Sequence, residues 1–173
     1  MKLLRNCLLL LTLAAWLVGA RAADADRFFD PNLGEFPAEL KAAQKSGKLG
    51  VLLMFETEAC PYCRRMRQQV LNRDDVQSYF RKHFAIFSVD AFGNQPLTDF
   101  AGAETTEKAY ARKLVVRGTP TFVVVGLDGR ELARFTGATK DAEEFMQFGR
   151  YVVDGHYRSQ SFEQFSAAGV KRP

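Results

Sequence analysis

The sequence has few cysteines and histidines, the residue types that build structural zinc sites. Its 173 residues include three cysteines and two histidines. A structural zinc site takes four Cys or His ligands, and His83 and His156 show no paired spacing. We therefore expect both histidines to be ordinary surface residues, and we expect no metal or organic cofactor. The chain also lacks internal repeats and low-complexity tracts, and its length fits one domain.

No apolar run is long enough to span a bilayer comfortably, since that takes about 20 residues. The run Leu8–Val18 follows a short basic segment and precedes the small residues Ala20 and Ala22. This pattern predicts a secretory signal peptide over residues 1–22, cleaved after Ala22 or, alternatively, after Ala20. An uncleaved anchor is the competing interpretation. Export would place the protein in the periplasm.

The chain has little excess charge once this segment is set aside. Three basic residues leave with it, so 21 Lys and Arg residues face 20 Asp and Glu residues, a net charge of +1. Most of the net positive charge therefore comes from the predicted targeting segment. Nothing in the rest of the chain indicates nucleic-acid binding, which needs a clustered basic face. Cys7 and Trp16 also leave, so Cys60 and Cys63 are the cysteines of the predicted mature chain.

Helical and strand patterns alternate along the rest of the chain. We predict a flexible, polar lead-in over residues 23–35, a domain over 36–173 and a long loop over 91–104. The order predicts an α/β fold with a central mixed sheet flanked by helices. Helices are predicted over 36–46, 61–72, 73–84, 105–114, 141–153 and 161–168, and strands over 50–56, 84–90, 121–125 and 131–135.

The cysteine pair lies where a buried strand gives way to a helix, in the stretch "EACPYCRRM". Pro61 suits the first helical turn, because its missing N–H would be unpaired there. Cys60 is then at the helix N-terminus, where free N–H groups and the helix dipole stabilise a thiolate. Cys60 is expected to be the exposed, attacking cysteine. Cys63, one turn further on, is expected to be more buried and able to attack a mixed disulfide formed on Cys60.

Two other uses of the pair are weighed against redox cycling. A static disulfide closing so short a loop removes little entropy from the unfolded chain, and zinc lacks further ligands. Redox cycling is therefore the favoured interpretation. In the oxidising compartment that a signal peptide implies, an exposed thiol pair readily becomes a disulfide.

A second motif, "VVRGTPTF", places Pro120 directly before a strong strand. Together with the strand–CPYC–helix segment it resembles the thioredoxin superfamily. The resemblance implies that the Thr119–Pro120 bond is cis, that it packs opposite the cysteines, and that the backbone of Thr119 pairs with an extended substrate segment. The pattern of loop and tail also resembles the SoxW-type periplasmic thioredoxins, which are linked to sulfur-oxidation operons.

The chain departs from ordinary thioredoxins just ahead of the cysteines. Met54 stands where they carry a buried acid that handles the proton of the second cysteine, and Ala59 stands where they carry Trp. Glu56 and Glu58 are candidate replacements; Glu56 shares a strand face with Met54 and lies nearer the cysteines. The competing interpretation is that both are solvated strand-end residues. Tyr62 is expected to face outward and to influence partner choice or cysteine potential.

These observations predict an exported thiol–disulfide oxidoreductase that reduces protein disulfides. The resemblance implies a membrane electron donor of DsbD/CcdA type and substrates among sulfur-oxidation carrier proteins or apocytochromes. A Dsb-type disulfide oxidase or isomerase is one alternative, because the motif does not give the direction of electron flow. A binding or chaperone module with incidental cysteines is another. We expect a monomer.

Overall fold

The computed structural model describes the chain from residue 24 to residue 170. The predicted signal peptide, with Cys7 and Trp16, lies outside the described residues. Within the described range, no helix has the length and apolar content needed to cross a membrane. The helices are α1 (Phe36–Lys45), α2 (Pro61–Met66), α3 (Asp74–His83), α4 (Glu107–Lys113), α5 (Ala142–Val153) and α6 (Phe162–Val170).

A four-stranded mixed sheet forms the centre of the molecule. β1 pairs parallel with β2 and antiparallel with β5, which in turn pairs antiparallel with β6, so the strand order is β2-β1-β5-β6. The predicted α/β architecture is confirmed. The strands of this sheet are β1 (Gly50–Glu56), β2 (Phe84–Asp90), β5 (Thr121–Gly126) and β6 (Glu131–Thr136), and a small separate hairpin consists of β3 (Pro96–Thr98) and β4 (Glu104–Thr106).

The sheet is covered on both faces, which explains the unbroken apolar run of its central strand. Leu52 and Met54 of β1 belong to one core cluster, which also holds both cysteines. Val51, Leu53 and Phe55 belong to the other. All five side chains are fully buried, as expected for a strand packed against helices on each side.

The register of β1 against β2 decides what meets at the sheet edge beside the cysteines. Met54 pairs with Ser88 and Glu56 pairs with Asp90. Because the two strands run parallel, their carboxyl ends lie side by side. The chain that leaves β1 therefore starts α2 next to polar groups of β2.

Helix starts follow ordinary capping chemistry. The hydroxyl of Thr106 accepts a hydrogen bond from the backbone N–H of Ala109, so Thr106 caps α4 in preference to the neighbouring Thr105. Asp141 caps α5 by accepting from the N–H of Glu144 at 3.0 Å.

The segment before α1 differs from the flexible lead-in predicted over residues 23–35. Residues Ala25–Phe28 form a 3-10 turn, and the side chain of Phe28 is fully buried. The backbone of Asp30 donates to the carbonyl oxygen of Ile86 at 2.7 Å, and its carboxylate accepts from the N–H of Ile86 at 3.0 Å. The segment is bound along β2, because one aromatic side chain and one acid find partners far away in sequence.

The region predicted as a loop over 91–104 contains most of the small hairpin. Asp99, between the two strands, is 2% exposed. Its carboxylate accepts from the N–H groups of Ala101 and Ala103 and from Nζ of Lys113, at 2.9, 3.0 and 2.5 Å. Burial by itself would raise the pKa of Asp99, but these hydrogen bonds outweigh it and hold the pKa below its ordinary value. Strands of three residues are too short to show a period in the sequence.

Candidate active site

The cysteine pair caps the start of α2. Cys60 occupies the N-cap position, with Pro61 as the first helical residue, and its Sγ accepts from the backbone N–H of Cys63 at 3.0 Å. The two cysteines are joined by a disulfide bond. The cap position of Cys60 and the place of Pro61 in the first turn were both expected from the sequence, because a proline after a strand end positions the preceding residue at the cap.

The two sulfurs are less different in exposure than expected. Cys60 is 5% exposed and Cys63 is 2% exposed, so the expectation of a clearly exposed attacking cysteine does not hold for the disulfide form. The cause is the loop that enters β5. Its Thr119 carbonyl oxygen lies 3.3 Å from Sγ of Cys60, close enough to cover that sulfur and to accept a hydrogen bond from the reduced thiol.

That loop has the geometry that the resemblance implied. The Thr119–Pro120 peptide bond is cis, and Pro120 is buried. The hydroxyl of Thr121 donates to the carbonyl oxygen of Gly118 at 2.7 Å, which closes the turn at the start of β5. The loop thereby holds the Thr119 carbonyl against the cysteine pair.

Glu56, at the end of β1, lies on the same side of the sheet as Cys63. Both line a cavity of about 320 Å³, which Glu58, Ser88 and Asp90 also line. Met54 carries no carboxylate and is fully buried in the core. The acid on the cysteine side of β1 is therefore Glu56, two residues further along the strand. The side chain of Glu56 is 14% exposed, and it is therefore not the solvated strand-end residue of the competing interpretation.

Two residues that the sequence reasoning did not assign to the site hold this carboxylate. Arg67 donates to both oxygens of Glu56, and the hydroxyl of Ser88 donates to one of them. The hydrogen bond to Glu56, reinforced by its charge and that of Asp26, raises the pKa of Arg67 against the opposing effect of burial. The spacing of four residues between Cys63 and Arg67 places both on one helix face, and this is the sequence signal that could have assigned Arg67 to the site.

The other arginines of this region bind backbone. Arg65 donates to the carbonyl oxygens of Thr139 and Lys140, at 3.2 and 2.9 Å. Arg64 donates to the carbonyl oxygen of Glu58 at 3.3 Å. These contacts tie α2 to the loops around it.

Two largely exposed aromatic side chains lie in this region, one between the cysteines and one next to the cavity. Tyr62, between the cysteines, is 59% exposed, in agreement with its expected outward orientation. Phe92 follows β2 and is 71% exposed, and its backbone N–H donates to Asp90 of the cavity at 2.9 Å. The sequence does not show that Phe92 lies beside Asp90, because this contact depends on the turn after β2.

The two histidines lie away from the cysteines in packing contacts. The ring of His83 lies 5.0 Å from that of Tyr79, and the ring of His156 lies 4.7 Å from that of Phe165. Burial lowers the pKa of His83, and the charge of Lys82 adds to that effect. From residue 24 to residue 170, no three His, Cys, Asp or Glu side chains cluster where they could hold a metal ion.

Comparisons with known proteins agree with this geometry. The family model for the thioredoxin-like domain matches residues 36–153. A thioredoxin from Thermus thermophilus is 31% identical, with a TM-score of 0.53 over 71% of this chain and 88% of that one. A thioredoxin-fold protein from Helicobacter pylori is 20% identical, with a TM-score of 0.65 over 85% and 90%. The oxidoreductase DsbH is 15% identical, with a TM-score of 0.55 over 81% and 92%. No curated protein sequence matches the chain.

Proposed function

The chain belongs to the thioredoxin-like domain family and is a thiol–disulfide oxidoreductase, and on that premise we propose that it reduces protein disulfides in the periplasm. One observation carries the proposal: the Cys60–Cys63 disulfide caps α2 directly opposite the carbonyl of Thr119. The location rests on the signal-peptide pattern of residues 1–22.

The proposed reaction begins with the dithiol form. The thiolate of Cys60 attacks one sulfur of the substrate disulfide, forms a mixed disulfide and releases the other substrate sulfur as a thiolate. Cys63, after losing its proton, attacks Sγ of Cys60. The Cys60–Cys63 bond forms and the second substrate sulfur leaves as a thiolate. Two electrons pass from the cysteine pair to the substrate, and both substrate thiolates take protons from solvent.

Substrate recognition is assigned to the surface around Cys60. The backbone of Thr119 pairs with an extended segment of the substrate, in the manner of strand addition. Tyr62, largely exposed beside the disulfide, contacts side chains that flank the substrate cysteine and so influences which partners bind.

Glu56 is proposed as the proton acceptor of Cys63 in the resolving step. It lines the same cavity as Cys63, and a carboxylate in that cavity can accept the thiol proton directly or through one water. The cavity opens to solvent, so the proton can leave after the step.

A reductant in an oxidising compartment must be recharged with electrons. We propose a membrane thiol-electron donor of DsbD/CcdA type for this role, together with a SoxW-type function on sulfur-oxidation carrier proteins or apocytochromes. These assignments are supported by the resemblance of the sequence motifs to that group.

The direction of electron flow separates this proposal from a Dsb-type oxidase or isomerase. Redox potentials of this fold extend from about −270 mV for a reductant to about −120 mV for a strong oxidant. Equilibration of the Cys60–Cys63 couple with a thiol buffer of known potential measures the redox potential of this protein. A value near the oxidising end would contradict the reductase proposal.

Trapping in the native host tests the function directly. In Cys63→Ala, attack by Cys60 cannot be resolved, so substrates are expected to remain bound to Cys60 as mixed disulfides that mass spectrometry identifies. Cys60→Ser is the matched control and should trap nothing. If Cys63→Ala captured no disulfide-linked partner and Cys60→Ser kept full activity, the chain would be a binding or chaperone module.

A further inference from the structure

Arg67 joins three parts of the molecule beside the cysteine pair. It begins the π-helical turn that continues α2. Its guanidinium donates to both carboxylate oxygens of Glu56, with Nε 3.0 Å from Oε2. Nη1 donates to Oδ1 of Asp26 at 2.9 Å, and Cζ lies 4.4 Å from the centre of the Phe29 ring. One side chain thus links the cysteine helix, the end of β1 and the 3-10 turn.

The pairing with Glu56 is partly buried. The side chains of Arg67 and Glu56 are 25% and 14% exposed, and the hydroxyl of Ser88 donates to the same carboxylate. A guanidinium that binds both oxygens fixes the orientation of a carboxylate as well as balancing its charge. Without that cation, a carboxylate so little exposed would hold its charge at a large desolvation cost.

Other charged groups face the same space. Glu58, Arg64 and Asp90 line the cavity with Glu56 and Cys63. Arg64 donates to a backbone carbonyl, whereas Arg67 is the cation in direct contact with Glu56. Arg67 is therefore the cation that fixes the position of the Glu56 carboxylate.

We propose that Arg67 is a positioning residue for the resolving step and that it acts through Glu56. The inference rests on the function proposed above. In this step the thiol of Cys63 gives its proton to Glu56, the new thiolate bonds to Sγ of Cys60, and the substrate sulfur leaves with the electron pair of the broken bond. Arg67 holds the Glu56 carboxylate in place before the transfer, and the proton then passes to solvent.

The signature of this role is a selective effect on the resolving step. Arg67 holds the Glu56 carboxylate through two hydrogen bonds, so its loss should slow the attack by Cys63 and leave the attack by Cys60 unchanged. Misplacement of a reacting group by about 1 Å can cost about 100-fold in rate.

The two steps can be followed separately with dithiobis(nitrobenzoate) at one equivalent of reduced protein. The full chain carries Cys7→Ala in every variant, so that Cys60 and Cys63 are the thiols that react. The first release of thionitrobenzoate reports attack by Cys60, and the second reports resolution by Cys63. Absorbance records both in rapid mixing across a pH series.

For Arg67→Met we expect an unchanged first release and a second release slowed by about tenfold or more. Arg67→Gln, which keeps a donor but no charge, should do the same if Arg67→Met does not fold. Arg67→Lys, which keeps the charge, should restore most of the rate. Arg73→Met is the matched control, because Arg73 pairs with exposed Asp75, and it should leave both releases unchanged.

The Glu56→Gln background decides whether Arg67 acts through Glu56. There, Arg67→Met should slow the second release no further. A further slowing in the double variant, or no slowing in Arg67→Met and Arg67→Gln, would overturn the inference. The unmodified protein keeps the two proposals apart: a missing second release would contradict the function, whereas a normal one with unaltered variants would contradict only the role of Arg67.

Discussion

The two cysteines meet different surroundings although they are one helical turn apart. Sγ of Cys60 lies against the carbonyl of Thr119 in the loop before β5. Cys63 lines a polar cavity that contains the carboxylate of Glu56. In the proposed reaction, the first environment presents the backbone to an incoming chain, and the second provides an acceptor for a proton. The structure thus gives each sulfur surroundings that match its proposed step.

Replacing Glu56 with Gln tests the acceptor at the residue scale. The amide keeps the shape but cannot take a proton, so the second release of thionitrobenzoate should slow by about 100-fold near neutral pH, the lower range for general base catalysis. The first release should be unchanged. Glu58→Gln removes an equal charge from the same cavity; slowing in that variant, with a normal rate in Glu56→Gln, would assign the acceptor to Glu58.

Among the elements, the β3–β4 hairpin depends on one buried acid. Asp99 receives two backbone hydrogen bonds within the hairpin and one from Lys113 of α4. The carboxylate therefore closes the hairpin turn and joins it to a helix. Because these bonds favour the charged form, the folded state holds the pKa of Asp99 below its ordinary value.

Asp99→Asn should lower the free energy of unfolding by about 2 kcal/mol near neutral pH, since hydrogen bonds to a charged group contribute about 1.5–3 kcal/mol. A lowered folded-state pKa gives stability that is present above the unfolded value of about 3.9 and is lost as pH falls through the folded value. Urea titrations across acidic pH should therefore show the difference shrinking. Asp75→Asn, in an exposed pair with Arg73, should change little; equal effects would contradict this account.

Across the whole molecule, the segment before α1 is part of the packed domain. The ring of Phe28 lies 5.9 Å from that of Phe80 and 6.1 Å from that of Phe145, on α3 and α5. Two residues earlier, Asp26 reaches Arg67 at the cysteine helix. The same short segment therefore supports both the core and the site.

Phe28→Ala should destabilise the protein by about 3–5 kcal/mol, because it removes a fully buried ring and leaves a cavity between helices. The measurement is the midpoint of denaturant unfolding followed by circular dichroism. Leu33→Ala, at a side chain 78% exposed in the same segment, should stay within about 0.5 kcal/mol. Similar small effects for both would show that the segment does not pack as described.

Local patterns predicted most of the fold. The apolar runs of β1 and β2 and the periods of α1, α3 and α5 have bounds within one residue of those expected. The short strands β3 and β4 were missed, because three residues carry no usable period. The packing of Phe28 was missed because an isolated aromatic in a polar stretch has no local signal for burial.

The sequence by itself determined the chemistry: a proline after the first cysteine places the pair at a helix start, and the second proline marks the loop opposite. Only the tertiary structure decided which charges meet Cys63. Ser88 reaches Glu56 through the register of two parallel strands, and Asp26 reaches Arg67 across 41 positions of the chain. Local periodicity specifies helices and strands, whereas contacts between residues so far apart in sequence depend on how the sheet, the cysteine helix and the packed segment before α1 pack together.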